Sequence, residues 1–341
     1  MYIKIIQKIN KINIEEKMTY FKILFFILIN ILSICTNNNK NNNNNIYTRN
    51  AYHAGSWYES DPTLLSKEIK EYLSKSDKLE KKGNLKTIIV PHAGYRFSGP
   101  TAAKSFININ PSNYNRVVIL GPSHHEYFTG CGLTTFDSFS TPFGDVKVDT
   151  KYINKLLKIK GLFFKLSESM DLKEHSIEME MPFLKYIFDK KSFSIIPIVV
   201  GDNDLKTNIE IGKALYELYL DEKTLFVISS DFCHWGKNFG FTYHDKKFEN
   251  IWESIQDLDK QAMDIISEIN SEKLDEYFKI TKNTICGRNP IIIAVSIIQN
   301  YKKHYKDKKV SFDIIAYAQS NKVKSRYETS VSYAAMANFI S

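Results

Sequence analysis

Arg116-Val117-Val118-Ile119-Leu120-Gly121-Pro122-Ser123-His124-His125 is an apolar run that stops at a glycine, a proline and a pair of imidazoles. A short continuous apolar run of this kind reads as a strand buried on both faces, with turn chemistry at its carboxyl end. The pattern recurs. Residues 87–90 run into Pro91-His92-Ala93-Gly94-Tyr95, and residues 225–229 run into Ser230-Asp231-Phe232-Cys233-His234-Trp235. A fourth polar cluster, Asn283-Thr284-Ile285-Cys286-Gly287-Arg288, is likewise expected to follow a strand-like run, and it precedes residues 291–298, which read as a buried helix with Pro290 in its first turn. Ligands of open α/β sheets bind beyond the carboxyl ends of the strands. Side chains placed just after apolar strands therefore predict one crevice and one mononuclear site.

Outward from these clusters the chain alternates two periodicities, with no internal repeat. Asp61 and Pro62 open a helix through about Ser74, with Asp61 as the cap and Pro62 at the first helical position. Residues 149–158, 175–188, 205–219 and 257–269 read as helices, and 194–200 and 310–317 as buried strands. Strands alternating with helices predict a single α/β domain over residues 51–341, its largely parallel central sheet flanked by helices.

The 341 residues, 43% of them hydrophobic, can bury a large core. The formal net charge is +8, but residues 1–50 hold seven basic side chains against Glu15 and Glu16, which accounts for +5 of it. The remaining body is nearly balanced and offers no general phosphate-tracking surface, which excludes nucleic acid as the expected partner. Residues 1–50 are a basic, apolar leader followed by an Asn-rich tract that cannot bury enough apolar area to order itself. Membrane contact is expected only through residues 20–35, whose apolar run is shorter than the roughly 20 residues of a full span. The expected location is cytoplasmic, with a membrane-anchored or secretory-pathway protein as the alternative. Four cysteines without short paired spacing argue against a disulfide framework and against a CxxC zinc site.

Each candidate residue carries a bland reading beside the functional one. His92 is either a metal ligand or a turn histidine bonded to a carbonyl. His124 and His125 are adjacent, so on extended backbone only one imidazole can face the crevice; His124 is the expected ligand and His125 a packing or supporting group. Cys286, near a helix N-terminus, is a thiolate ligand or an inert buried thiol. Asp231 and His234, three residues apart, suit proton transfer or ligand orientation, with an Asx turn as the competing reading. His175 and Glu178 would share a helix face and are secondary candidates. No Gly-x-Ser-x-Gly elbow, HExxH helix or phosphate-cradling glycine loop occurs, which leaves hydrolase, ATP and NAD readings without support.

Taken together, His53-Ala-Gly-Ser-Trp57-Tyr58, Pro91-His-Ala-Gly-Tyr95, Gly121-Pro-Ser-His-His125, His175-Ser-Ile-Glu-Met179, Ser229-Ser-Asp-Phe-Cys-His-Trp-Gly236, Asn283-Thr-Ile-Cys-Gly-Arg288, Tyr317-Ala-Gln-Ser320 and Ser330-Val-Ser-Tyr-Ala-Ala335 resemble the Memo family. The motifs run in order through residues 51–341. The resemblance implies a fold like that of the class III extradiol dioxygenases, whose iron is held by two histidines and a carboxylate. It implies a His/His/Cys cluster here, mapping to His92, His124 and Cys286 as metal ligands. Asp231, His234 and Glu178 then fall in catalytic positions, and Trp57, Tyr95, His125 and His175 in substrate-binding ones. One copper or iron ion is the implied cofactor, with zinc less favoured, and redox chemistry the implied activity. The alternative is a non-catalytic adaptor that binds a phosphotyrosine-type or other peptide of a signalling or motility partner in the same crevice.

Overall fold

The computed structural model describes residues 46–80 and 83–341. Among the described residues twelve strands form the sheet: β1 (Thr48–Arg49), β2 (Asn84–Val90), β3 (Arg116–Pro122), β4 (Cys131–Leu133), β5 (Ser138–Phe139), β6 (Val146–Val148), β7 (Phe163–Lys165), β8 (Ser194–Val200), β9 (Thr224–Ser229), β10 (His234–Trp235), β11 (Val310–Gln319) and β12 (Ser330–Ile340). Their order is β1-β5-β6-β8-β3-β9-β2-β12-β10, with β11 on β12 and β4 on β8. The stretch from β6 to β2 is parallel throughout, and β12 closes it antiparallel to β2.

The helices are α1 (Pro62–Ser74), α2 (Tyr95–Phe106), α3 (Thr150–Leu156), α4 (Glu168–Lys173), α5 (Met181–Phe188), α6 (Leu205–Leu220), α7 (Ile251–Glu268), α8 (Ser271–Thr281) and α9 (Arg288–His304). Every residue of β9 and all but the first residue of β2, β3 and β8 are buried, so helices cover both faces of the parallel core. Each such aliphatic side chain contributes roughly 1.5–3 kcal/mol of burial, so the core itself fixes where these strands end. Because β3, β9 and β2 are neighbours and parallel, residues just after them share one rim.

Asp61 caps α1 by accepting from the amides of Thr63 and Leu64, both at 2.9 Å, and Pro62 is the first helical residue. The helix expected over 175–188 is not continuous. Residues 174–177 form a loop, Glu178–Glu180 a single 3₁₀ turn, and the α-helix begins at Met181 with Pro182 in its first turn. The loop is held by the buried Arg49, whose guanidinium donates to the carbonyls of Asp171, Leu172 and Glu174. His175 and Glu178 therefore share no helix face. Asp231 and His234 likewise lie in extended chain, His234 on β10 opposite Val331. Helix α7 starts six residues before the expected Asp257, where Asn250 and Glu253 form a capping box.

The sheet also reaches further towards the N-terminus than Ala51. The compact unit runs Tyr47–Ser341, and Arg49, which charge counting groups with the leader, is a core residue 1% exposed. Among the described residues no helix is long and apolar enough to cross a membrane. The apolar run at 20–35, on which the expectation of membrane contact rests, lies outside the described residues.

Candidate metal centre

His92 follows β2 and is 1% exposed. Its backbone amide donates to Asp231 Oδ1 at 2.9 Å, which ties the end of β2 to the end of β9. Its ring Nδ1 lies 2.7 Å from Ser229 Oγ. That hydroxyl also reaches Ser176 O at 2.6 Å and Glu180 Oε1 at 2.8 Å, and its single hydrogen goes to one of those oxygens. Ser229 is thus the acceptor for His92 Nδ1–H, which leaves the Nε2 lone pair facing Cys286 Sγ at 3.2 Å. Burial, then the nearby imidazoles of His124, His175 and His234, hold the His92 ring well below its ordinary pKa, so it is neutral.

His124 follows β3 and is fixed at both ends. Its amide donates to Glu174 Oε2 at 2.6 Å and its Nδ1–H to Glu174 Oε1 at 2.9 Å, so Nε2 points away from the carboxylate. Burial opposes charge on this ring, but hydrogen bonds and charge attraction from Cys286 and Glu174 outweigh it and raise His124 to about 10. Glu174 feels the reciprocal effect: burial pushes it up, and the His124 contacts overcome that to bring it to about 2. Glu174 stands directly before His175, and nothing in the local sequence marks it as the group that orients His124. Glu178, expected in a catalytic position, instead accepts from Arg49 Nη1 at 2.6 Å, the His53 amide at 2.7 Å and Tyr58 Oη at 2.9 Å. It braces the loop and touches no ring of the centre. The orienting groups are Glu174 and Ser229.

Cys286 comes from a loop and not from a strand end. That loop is laced to the loop after β9 by several contacts. The Gly287 amide donates to Ser230 Oγ at 3.0 Å, the His234 amide to Thr284 Oγ1 at 2.8 Å, and Thr284 Oγ1 to His234 O at 2.7 Å. A Cβ on Gly287 would stand 2.3 Å from Ser230 Cβ, so the two loops approach closely only because this residue has no side chain. Burial pushes the Cys286 thiol up, against the lowering contact of His124. The helix terminus alone does not make it a thiolate; a proton shared with His124 or a bound cation is required.

His92, His124 and Cys286 place their donor atoms within 4.8 Å of one another. Metal–imidazole and metal–thiolate bonds of about 2.0–2.3 Å separate neighbouring donors by roughly 3–4 Å, so these three fit one ion. His124, Glu174 and His175 satisfy the same distance limit. There, however, both Glu174 oxygens are occupied by hydrogen bonds to His124 and the Ser176 amide, and the two rings are stacked at 4.2 Å and 25°. Stacked rings aim their in-plane lone pairs alongside each other and not at a common point, which makes this group a support for the first.

The centre lies in a cavity of about 1380 Å³ lined also by Trp57, Tyr95, His175, Asp231 and His234. Asp231 is buried, its carboxyl raised by that burial, and its Oδ1 is held by the amides of His92 and Ala93. His234 keeps Nδ1 against the carbonyls of Phe232 and Thr284, so Nε2 is the nitrogen left for the cavity. His175 is sandwiched between His124 and Trp57, whose centroid is 4.4 Å away, and burial followed by repulsion from His124 lowers it to about 3. Tyr95 turns its hydroxyl onto Met179 O at 2.7 Å and acts as wall. His125 is exposed and does not line the cavity; its ring centroid is 6.3 Å from that of His175.

Fold and site together define a single α/β domain with an imidazole–thiol pocket at the carboxyl rim of its parallel strands. A family model described as Memo-like protein matches residues 49–337. Protein MEMO1 of Xenopus laevis is 40% identical over 291 residues, covering 85% of this chain and 96% of its own, and protein MEMO1 of Homo sapiens is 38% identical over 294 residues, covering 86% and 97%. A solved structure of an uncharacterized Escherichia coli K12 protein aligns at a TM-score of 0.47 with 12% identity, over 73% of this chain and 99% of its own. The chain belongs to the Memo family.

Proposed function

We propose that the protein binds one redox-active metal ion, copper or iron, through His92, His124 and Cys286, and uses it for oxidase- or dioxygenase-like chemistry. The observation that carries this reading is the convergence of two imidazole Nε2 atoms and one sulfur, each imidazole held through its Nδ1 by Ser229 or Glu174, with a bound cation taking the place of the proton on His124. A thiolate with two imidazoles suits a softer ion than the oxygen-rich sites of ring-cleaving iron enzymes, and this favours copper. When bound, such an ion supplies one-electron exchange with oxygen or an organic substrate. The chain supplies the rest. Asp231 holds the β2 and β9 ends in register, Trp57 and His175 form one wall for a substrate, and His234 Nε2 is placed to hold or pass a proton.

A second reading rests on the mouth of the same cavity. Trp57, Phe97, Phe239 and Tyr327 are all exposed aromatics lining it, and its volume exceeds the roughly 300–1,000 Å³ typical of small-molecule pockets. That rim suits a peptide, with Arg96 as the guanidinium available to an anionic residue. The two readings separate in one preparation. Titration of copper and iron into the full chain, Cys286→Ser and His92→Ala is expected to lose about 100-fold or more in affinity in both variants, with oxygen consumption in the presence of reductant lost alongside. Unchanged affinity and stoichiometry in both variants would remove the metal centre. Metal binding without turnover, with a peptide retained by the metal-free protein, would favour the adaptor.

A further inference from the structure

Asp259, on α7, is completely buried and is not part of the cavity. Its Oδ1 accepts from the Cys233 amide at 3.2 Å and from Asn283 Nδ2 at 2.9 Å, and its Oδ2 accepts from Tyr317 Oη at 2.9 Å. Cys233 lies between Asp231 and His234, and Asn283 lies three residues before Cys286. One carboxylate thus grips both loops that complete the pocket. Asn283 spends its second amide hydrogen on Tyr277 Oη at 3.0 Å, and Tyr317 Oη is itself held by Gln319 Nε2 at 2.9 Å and lies 3.1 Å from Ser332 Oγ. Asn283, Tyr317 and Ser332 come from three sequence motifs, none of the three lines the cavity, and they meet here.

We infer that Asp259 is a positioning residue for the metal centre: it sets the distance between the loop bearing Asp231 and His234 and the loop bearing Cys286, and through Asn283 it fixes where the sulfur stands. The inference rests on the metal-centre reading above. A buried carboxylate whose partners are neutral donors is costly to keep, and burial lifts Asp259 to about 6 against the hydrogen bonds from Asn283, Ser332, Tyr317 and the Cys233 amide. A carboxylate kept at that cost needs a purpose, and the two-loop tie provides one. Removing it frees Asn283 and with it the first residue of the Cys286 segment, whereas the imidazoles, anchored by Ser229 and Glu174, stay in place.

The test uses the full chain loaded with Co²⁺, whose sulfur-to-metal charge-transfer band reports the Cys286 bond separately from the imidazoles. Asp259→Ala and Asn283→Ala are each expected to weaken Co²⁺ binding about 10-fold and to shift or diminish the band. Asp259→Asn keeps an acceptor for the Cys233 amide and Asn283 and is expected to stay within about 3-fold of the parent. Alkylation of Cys286 in the metal-free proteins, followed by mass spectrometry, should change in rate at least about 3-fold in the two alanine variants, reporting the sulfur's position without metal. Variants that fold yet keep the parental band, affinity and alkylation rate overturn the inference; if Asp259→Ala does not fold, Asn283→Ala decides alone. Cys286→Ser in the same series separates the two claims, because an unchanged band there removes the metal-centre reading itself.

Discussion

The two imidazoles and the sulfur reach the same point by different routes. His92 and His124 stand directly after β2 and β3, neighbours in a parallel core whose buried side chains fix the strand ends, and each ring is set by one acceptor, Ser229 or Glu174. Cys286 sits on a loop before α9 and owes its place to contacts with another loop: Gly287 on Ser230, Thr284 on His234, and Asn283 on Asp259. The strand side is held by the hydrophobic core and the loop side by polar contacts. Substitutions should therefore act differently on the two sides, moving the sulfur readily and the imidazoles little.

The largest effect is expected at Gly287. Its backbone has an ordinary negative φ of −83°, so alanine meets no conformational penalty there, but its Cβ would collide with Ser230 and push the loops apart. Gly287→Ala should lower metal affinity about 100-fold, the upper end for groups that orient ligands, with little change in thermal stability. Combining it with Ser230→Gly removes the opposing side chain but leaves the Ser229 carbonyl oxygen 2.9 Å from the new Cβ and deletes the hydroxyl that accepts from the residue 287 amide, so part of the loss should be recovered. Failure of the double variant to recover, measured by calorimetric titration, would mean that loop spacing does not place the sulfur.

On the strand side a smaller loss is expected. Glu174→Gln keeps the shape and an acceptor for His124 Nδ1–H but removes the charge that draws it, and affinity should fall about 10-fold while the sulfur charge-transfer band stays where it was. A shifted band would show that the two sides are not independent. His125→Ala should leave affinity within about 2-fold, because its ring is exposed and outside the cavity. A loss comparable to that of Glu174→Gln would show that the neighbouring imidazole can replace His124.

The same contrast explains what could be read from sequence. Apolar runs ending in Gly, Pro and His mark strand ends, and a parallel sheet brings strand ends together, so His92, His124 and Asp231 were legible from local pattern and topology alone. Cys286 followed from its place before a buried helix and from the resemblance to the family. The supporting shell was not legible. Glu174, Ser229 and Asp259 act through contacts between segments about 50, 137 and 24 residues apart, and nothing in the local sequence reports such pairings. The error at Glu178 has the same origin. An apparently helical period over 175–188 ignored that Arg49, more than 120 residues away, grips the preceding backbone and holds it as a loop.

The proposed centre holds one ion with one sulfur and two imidazoles. X-ray absorption at the metal edge of the full chain, loaded with a single equivalent of copper, measures that shell directly. One sulfur at about 2.3 Å and two imidazole nitrogens at about 2.0 Å are expected, with the sulfur replaced by a nitrogen or oxygen scatterer in Cys286→Ser. A shell of nitrogen and oxygen alone in the parent protein would contradict that centre.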